Sequence, residues 1–203
     1  EAIVLDTSRY LNAIKAVDVK AGTATVEPGV VLAQLNAALA KEKLFFPVDP
    51  STASRCTLGG MAANNSSGAR SIRYGIMADN VSAIDAILAV GSQRRFGWLE
   101  GGQDDDLAAF LQGLAAREAD EISRRVPKVL RHVAGYNLHR IPPAGANGFN
   151  MADILVGSEG TLAFFGAIEL KLQPLPARKA IGICQFATFR AAMEATRHLV
   201  TLK

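Results

Sequence analysis

A chain of 203 residues can bury a substantial core, and a composition of 49% hydrophobic and 20% charged residues is typical of a globular protein. The net charge is only +3, the cations are scattered and 6% of residues are aromatic, which argues against a nucleic-acid binder. No apolar run in the sequence approaches the length of a membrane span, which is roughly 18 residues.

The first half of the chain predicts short strands followed by a helix. Residues 3–5, 13–19 and 23–27 have strand-like composition, and Lys20-Ala21-Gly22 supplies the turn of a hairpin. Apolar residues at helical spacing then predict an amphipathic helix over residues 30–41. Residues 81–90 predict a long strand, and a turn at Gly91 leads into another strand at 94–96. The pattern predicts an α+β fold.

The second half begins with helices over residues 104–130. The carboxylates of Asp104, Asp105 and Asp106 suit a helix N-terminus, and they lack the spacing of a calcium-binding EF-hand loop. Pro127 is expected to kink or restart the second helix. Residues 142–148 form a loop rich in Pro and Gly. Residues 180–186 predict a strand, after which Thr188 caps a final helix.

Two segments of small residues carry the functional signal. The first is Cys56-Thr57-Leu58-Gly59-Gly60-Met61-Ala62-Ala63-Asn64-Asn65-Ser66-Ser67-Gly68, and the second is Gly157-Ser158-Glu159-Gly160-Thr161-Leu162. Small side chains with hydroxyl and amide groups let a backbone lie against a ligand and present N–H groups to phosphate oxygens. An ordinary Gly-rich turn is the alternative for either segment alone. Together they predict two walls of one binding cleft.

At these residues the sequence resembles the FAD-linked oxidases of the vanillyl-alcohol oxidase / p-cresol methylhydroxylase type. The likeness is to the branch of glycolate oxidase, D-lactate dehydrogenase and D-2-hydroxyglutarate dehydrogenase. It covers about residues 1–178, in the family's order and at roughly its spacing. The matching motifs are Val26-Glu27-Pro28-Gly29, Asp49-Pro50-Ser51, Cys56-Thr57-Leu58-Gly59-Gly60, Arg73-Tyr74-Gly75, Gly135-Tyr136 and Gly157-Ser158-Glu159-Gly160-Thr161-Leu162.

The resemblance implies a PCMH-type FAD-binding domain, of which residues 1–178 are the second subdomain, a mostly antiparallel sheet flanked by helices. Residues 179–203 are then the incomplete start of a cap or substrate domain, and the chain is interpreted as a fragment of a larger protein. Carried over by position, the expected cofactor-binding residues are Asp49, Pro50, Ser51, Cys56, Thr57, Gly59, Gly60, Ala63, Asn64, Asn65, Ser66, Glu159, Gly160, Thr161 and Leu162. No catalytic residue is assigned; for Arg73 and Tyr74 a packing role is favoured.

The resemblance also has gaps. In the family a Gly-rich pyrophosphate loop lies upstream of the position of Glu1, and the substrate-binding Arg and Lys lie in the cap and downstream, so these groups are expected outside this chain. No histidine lies near either glycine motif, and Cys56 matches a position that the family uses without tethering, so the FAD is expected to be non-covalent. The segment from Asn64 to Ser71 resembles a subgroup fused to an iron–sulfur domain, which implies an iron–sulfur cluster in the missing downstream part.

Other reactive residues give little signal. The cysteines Cys56 and Cys184 form neither a metal-binding spacing nor a disulfide framework, and cytoplasmic location is the default. His132 and His139 are interpreted as structural, so no metal site is predicted.

The favoured function is therefore the FAD-binding portion of an oxidoreductase. The resemblance implies oxidation of a 2-hydroxy acid by hydride transfer to flavin N5, with electrons passing to an acceptor protein or a fused iron–sulfur domain. Another FAD-linked oxidase, a flavin-dependent transferase of the same superfamily, and a non-catalytic nucleotide-binding module remain alternatives.

Overall fold

The structure is a computed structural model that describes residues 4–102 and 105–201. In these ranges its strands are β1 (Ile14–Asp18), β2 (Thr23–Val26), β3 (Leu44–Phe45), β4 (Val81–Leu88), β5 (Gln93–Phe96), β6 (Trp98–Glu100), β7 (Gly148–Asn150), β8 (Ala163–Lys171) and β9 (Gln173–Pro174). The helices are α1 (Leu32–Leu39), α2 (Leu58–Ala63), α3 (Ser71–Tyr74), α4 (Met77–Asn80), α5 (Asp106–Arg117), α6 (Ala119–Arg125), α7 (Ala152–Leu155) and α8 (Phe189–Leu199). The chain has an α+β architecture, as predicted.

A five-stranded antiparallel sheet organises the molecule. Its strand order is β1-β2-β8-β4-β5, so β8, which follows the second glycine segment, lies at the centre. Ile168 of β8 is in register with Val26 on one side and Ile84 on the other, and all three are 0% exposed. Burying these branched side chains in one row removes apolar area from water and fixes the register of the sheet.

Helix α1 confirms the prediction for residues 30–41 with slightly different bounds. Its apolar positions Leu32, Leu35 and Leu39 are buried, as the helical spacing requires. A 3-10 turn over Ala40–Glu42 extends the helix, and Lys43 ends it in the left-handed region with φ +56°. The predicted hairpin of β1 and β2 is confirmed too, with Gly22 at φ +66° in its turn.

The acidic start of α5 behaves as a capped helix end. The carboxylate of Asp105 accepts the Ala108 N–H over 3.0 Å, and Asp106 is the first helical residue; Asp104 lies outside the described residues. The prediction for Pro127 is wrong, because the helices break at Glu118 and α6 ends at Arg125, before the proline. The residue preceding a proline disfavours the helical conformation, and Val126 is extended with ψ 120°.

Two predicted strands are absent. Val4 and Leu5 are exposed and irregular, while the rest of that segment lies outside the described residues, and the strand predicted over residues 180–186 is irregular and exposed. Neither segment has a partner strand within the described residues, and a strand without a partner leaves its backbone groups unpaired.

The end of the described chain lies outside the core. The helix predicted after Thr188 is confirmed, and the Thr188 hydroxyl accepts the Ala191 N–H over 3.2 Å. No described residue beyond Leu172 is buried, and the domain boundary at residue 178 stays a prediction. Among the helices of the described residues, none is both long and apolar enough to cross a membrane.

Candidate functional site

The two glycine segments share one open hollow of about 370 Å³. We call it the glycine hollow. Both segments contribute residues to its wall, with Gly60 from the first and Gly160 from the second. The wall consists of Leu5, Thr7, Pro28, Thr57, Gly59, Gly60, Ala63, Glu159, Gly160, Ala163, Phe164 and Phe165.

Direct backbone hydrogen bonds join the two segments. The Gly157 N–H donates to Ala62 O, and the Glu159 N–H donates to Ala63 O, each over 2.9 Å. Gly157 has φ +87°, and a Cβ there would lie 3.0 Å from Gly135 O and 3.3 Å from the Asn65 Cβ. Glycine is therefore required at this position both by its backbone conformation and by the close approach of its neighbours.

The first segment forms the short helix α2, capped by Thr57, whose hydroxyl accepts the Gly60 N–H over 3.2 Å. The N–H groups of Leu58 and Gly59 donate to Val30 O and Pro28 O, both over 2.8 Å. The Met61 N–H donates to Thr57 O over 2.9 Å. All four amides of residues 58–61 therefore already have acceptors within the protein, and which groups of the first segment face a phosphate stays a prediction.

The second segment offers a different donor. Glu159 and Gly160 both have left-handed backbones, with φ +52° and +77°. Nothing lies within 4 Å of a Cβ added to Gly160, so its backbone faces open space. Among the described residues the Gly160 N–H has no acceptor, in contrast to the amides of Gly157, Ser158 and Thr161.

The Gly135-Tyr136 motif and the residue that follows it stabilise the second segment through hydrogen bonds. The Tyr136 hydroxyl lies 2.8 Å from the Thr161 hydroxyl, and that hydroxyl in turn donates to Ser158 O over 2.6 Å. The buried Asn137 side chain donates to Asp153 O and to Val156 O over 3.1 and 2.8 Å. These bonds hold the second segment in place, which gives this motif a structural role.

The chemistry of the wall favours an uncharged, partly aromatic ligand group. Glu159 is the one ionisable side chain among the described residues that line the glycine hollow, and Phe164 and Phe165 add aromatic surface. The hydroxyls are those of Thr7 and Thr57. A volume in the range of ligand sites, apolar walls and few polar groups fit part of a dinucleotide, and a wall without cations suits its ring and sugar portions better than its phosphates.

Six of the fifteen predicted cofactor residues line the glycine hollow: Thr57, Gly59, Gly60, Ala63, Glu159 and Gly160. The structure places the other nine outside its wall: Asp49, Pro50, Ser51, Cys56, Asn64, Asn65, Ser66, Thr161 and Leu162.

Several of these nine residues have internal partners. Asp49 accepts the Arg70 N–H over 2.9 Å and forms an ion pair with its guanidinium at 3.3 Å. Asn65 is 0% exposed and accepts the Ala78 N–H over 3.0 Å. The Asn64 side chain accepts the Ser66 hydroxyl over 2.6 Å.

Half of the residues that line the glycine hollow were not predicted from the sequence. Leu5 and Thr7 come from the N-terminal segment, Pro28 from the turn after β2, and Ala163, Phe164 and Phe165 from the start of β8. The position of Phe164, two residues after the second segment, was a usable signal. Nothing local to Thr7 marks it, because its place in the wall depends on distant contacts.

The histidines form a pair but no metal centre. The rings of His132 and His139 lie edge to face with centroids 5.0 Å apart. Burial, together with the neighbouring His132 and Arg140, lowers the pKa of His139. Within the described ranges, no cluster of three or more His, Cys, Asp or Glu residues has the geometry to hold a metal ion.

Comparison with known proteins finds an FAD binding domain and several oxidoreductases that are similar to this chain. The FAD binding domain family model matches residues 1–97. D-2-hydroxyglutarate dehydrogenase of Haemophilus influenzae is 32% identical over an alignment of 204 positions that covers 94% of this chain and 20% of that protein. Glycolate oxidase subunit GlcD of Bacillus subtilis is 28% identical over 96% of this chain and 33% of its own length.

A solved structure of alkyldihydroxyacetonephosphate synthase superposes with a TM-score of 0.60 at 21% identity, covering 97% of this chain and 27% of that one. At that identity the likeness is one of fold. The chain spans about a fifth of the length of the D-2-hydroxyglutarate dehydrogenases that it matches.

Proposed function

We propose that this chain, whose residues 1–97 match the FAD binding domain family, forms one wall of the FAD site of a dehydrogenase that oxidises a 2-hydroxy acid. The observation that carries the proposal is the glycine hollow, in which Gly60 and Gly160 lie in one wall although they are separated by a hundred residues of sequence. The substrate class rests on relatives named for D-2-hydroxyglutarate, D-lactate and glycolate.

The residues of this chain bind and orient the cofactor in this proposal. When bound, FAD supplies the chemistry by taking the hydride from the substrate's α-carbon at its N5 position. Gly60 and Gly160 leave room for it, and Phe164 offers an apolar surface. The Gly160 N–H and the Thr7 hydroxyl have no partner among the described residues, so both can hydrogen-bond to it. Glu159 favours hydroxyl and amine donors and repels phosphate, which supports the adenosine end of FAD as the part nearest this residue.

The attachment and the electron acceptor belong to the same proposal. We infer non-covalent FAD, because the described wall of the glycine hollow contains neither histidine nor cysteine. Electrons then leave to an acceptor outside this chain, either an iron–sulfur domain of a longer polypeptide or a separate protein. We also propose a cytoplasmic location, since Cys56 and Cys184 are both free thiols, as is usual in a reducing compartment.

Filling the glycine hollow tests the cofactor site. We expect Gly60→Val, in the longer protein that contains this chain, to weaken FAD binding by roughly 10- to 100-fold, because overpacking a filled site costs about 1–3 kcal/mol. The measurement is flavin absorbance per protein and the Kd for added FAD.

Gly113→Val is the matched control for Gly60→Val. Gly113 is also a helical glycine, but it lies in α5, away from the glycine hollow, and a Cβ added there has nothing within 4 Å. Equal flavin retention in the two variants would contradict the site. A wild-type protein that takes up no FAD would favour the non-catalytic alternative.

The substrate is tested on the flavin itself. Anaerobic addition of D-2-hydroxyglutarate, D-lactate or glycolate to the yellow protein should bleach its absorbance for one of the three. Absence of bleaching by all three, in a protein that holds FAD, would favour a different FAD-linked oxidase or a flavin-dependent transferase.

A further inference from the structure

The Glu27-Pro28-Gly29 turn ties the N-terminal segment to the first glycine segment. The Glu27 N–H donates to Ala13 O, and the Glu27 carboxylate accepts the Ala13 N–H, each over 2.9 Å. The Gly29 N–H donates to Leu11 O over 2.7 Å. On the other side of the turn, Pro28 O accepts the Gly59 N–H over 2.8 Å, so three separate pieces of chain meet here.

Gly29 allows the N-terminal segment to approach closely. A Cβ added to Gly29 would lie 2.3 Å from Thr7 O and 2.7 Å from Leu11 O. Real Cβ atoms do not approach backbone atoms this closely, so any other residue would push the segment away. The φ of Gly29 lies outside the left-handed region. The glycine is therefore required by the neighbouring chain and not by its own backbone conformation.

The result of this packing is the position of Thr7. Between residues 4 and 10, Thr7 is half-buried while its neighbours are all exposed. It lines the glycine hollow together with Thr57, Gly60 and Gly160. The Thr57 hydroxyl already accepts the Gly60 N–H, whereas the Thr7 hydroxyl has no hydrogen-bond partner among the described residues.

We propose that the Thr7 hydroxyl is a hydrogen-bonding contact to the cofactor, and that the Glu27-Pro28-Gly29 turn is the element that positions it. This inference rests on the proposed function and adds a third wall to the site, supplied by the N-terminal segment. A half-exposed hydroxyl in an otherwise apolar wall can both donate and accept, which suits the hydroxyls of a sugar chain. Glu159 on the opposite segment makes a phosphate partner for Thr7 unfavourable.

The test compares FAD affinity in variants of the longer protein that contains this chain, with flavin removed and titrated back. Thr7→Val keeps the shape of the side chain and removes the hydroxyl, and we expect the Kd for FAD to rise roughly 3- to 10-fold, as for loss of one hydrogen bond. Thr7→Ser restores the hydroxyl and should return the Kd to within about 2-fold of the wild type.

Thr25→Val is the matched control. Thr25 is also half-buried, in β2, and it lies outside the glycine hollow. Its substitution should leave the Kd unchanged. A wild-type Kd in Thr7→Val overturns the inference while leaving the proposed function intact, whereas a wild-type protein that binds no FAD overturns both.

A second variant tests the positioning role. Gly29→Ala should weaken FAD binding by a similar factor, because the added Cβ displaces the backbone of Thr7. In the double variant the two effects should not multiply, since the hydroxyl is then already lost. Changes in the Kd for FAD that multiply in the double variant would contradict the idea that both substitutions act through the Thr7 hydroxyl. A thermal unfolding midpoint measured for each variant shows whether the fold is intact.

Discussion

At the residue scale, the adjacent residues Gly59 and Gly60 differ in what surrounds their missing Cβ atoms. A Cβ added to Gly59 would lie 2.5 Å from the Cβ of Pro28 and 2.9 Å from Pro28 O, inside the packed turn. A Cβ added to Gly60 would meet only the Thr57 hydroxyl, at 3.2 Å. Gly59 is therefore required by packing within the protein, whereas Gly60 leaves space that a ligand can use.

Alanine at each position separates the two roles. We expect Gly59→Ala to lower the free energy of unfolding by about 1–3 kcal/mol, the usual cost of overpacking. Gly60→Ala should leave stability unchanged or raise it by up to about 1 kcal/mol, since alanine is the better helix former. Urea denaturation of both variants measures this, and a stability loss in Gly60→Ala equal to that in Gly59→Ala would contradict the assignment.

At the element scale, Arg140 ties two short helices together. Its guanidinium lies 2.9 Å from the Asp153 carboxylate in α7 and 2.9 Å from the Asp79 carboxylate in α4. The Asp153 side chain is only 9% exposed. Burial raises the pKa of Asp153, and the neighbouring Arg140 opposes that rise. The charge of Asp153 therefore depends on Arg140 for compensation.

Substitution of Arg140 tests whether the charge of Asp153 depends on it. We expect Arg140→Leu to cost about 3 kcal/mol at neutral pH, because it leaves a buried carboxylate without its partner. The deficit should shrink as the pH falls through the raised pKa of Asp153, since protonation then removes the buried charge. Urea denaturation at several pH values measures both effects.

Arg117→Leu is the control for the loss of an arginine. Its ion pair with Glu118 is exposed, with side chains 69% and 41% accessible, so its removal should cost less than about 1 kcal/mol at any pH. A deficit in Arg140→Leu that does not change with pH would contradict the role given to Asp153.

At the scale of the whole molecule, the glycine hollow is open and incomplete as a cofactor site. Its wall offers two hydroxyls, one free amide and one carboxylate among the described residues, and no cation for a pyrophosphate. Under the proposed function, the remaining contacts to FAD come from outside this chain. This agrees with a chain that spans about a fifth of its D-2-hydroxyglutarate dehydrogenase relatives.

That incompleteness predicts a difference in affinity. We expect the 203-residue chain alone to retain FAD poorly and the longer protein to purify with bound flavin. The reason is that each contact to FAD that the shorter chain does not make weakens its binding free energy. Flavin absorbance per protein after gel filtration compares the two. A stoichiometric flavin spectrum from the 203-residue chain alone would contradict the prediction.

The sequence by itself determined the features that depend on neighbours along the chain. The cap at Thr188, the turn at Gly22, the amphipathic α1 and the identity of the glycine motifs all follow from local patterns, and the structure has each of them. The prediction from sequence failed where a segment needs a distant partner, as at residues 180–186, which have strand composition but pair with no strand in the part of the chain that the structure describes.

Only the tertiary structure decided which groups are free to bind. The amides of residues 58–61 look available in the sequence but donate to Val30, Pro28 and Thr57. Thr7 has no distinctive sequence signal, yet it lines the glycine hollow and its hydroxyl has no partner among the described residues. The physical reason is that a donor or acceptor is free only if no other part of the folded chain reaches it. That depends on contacts between residues far apart in sequence, which local patterns do not encode.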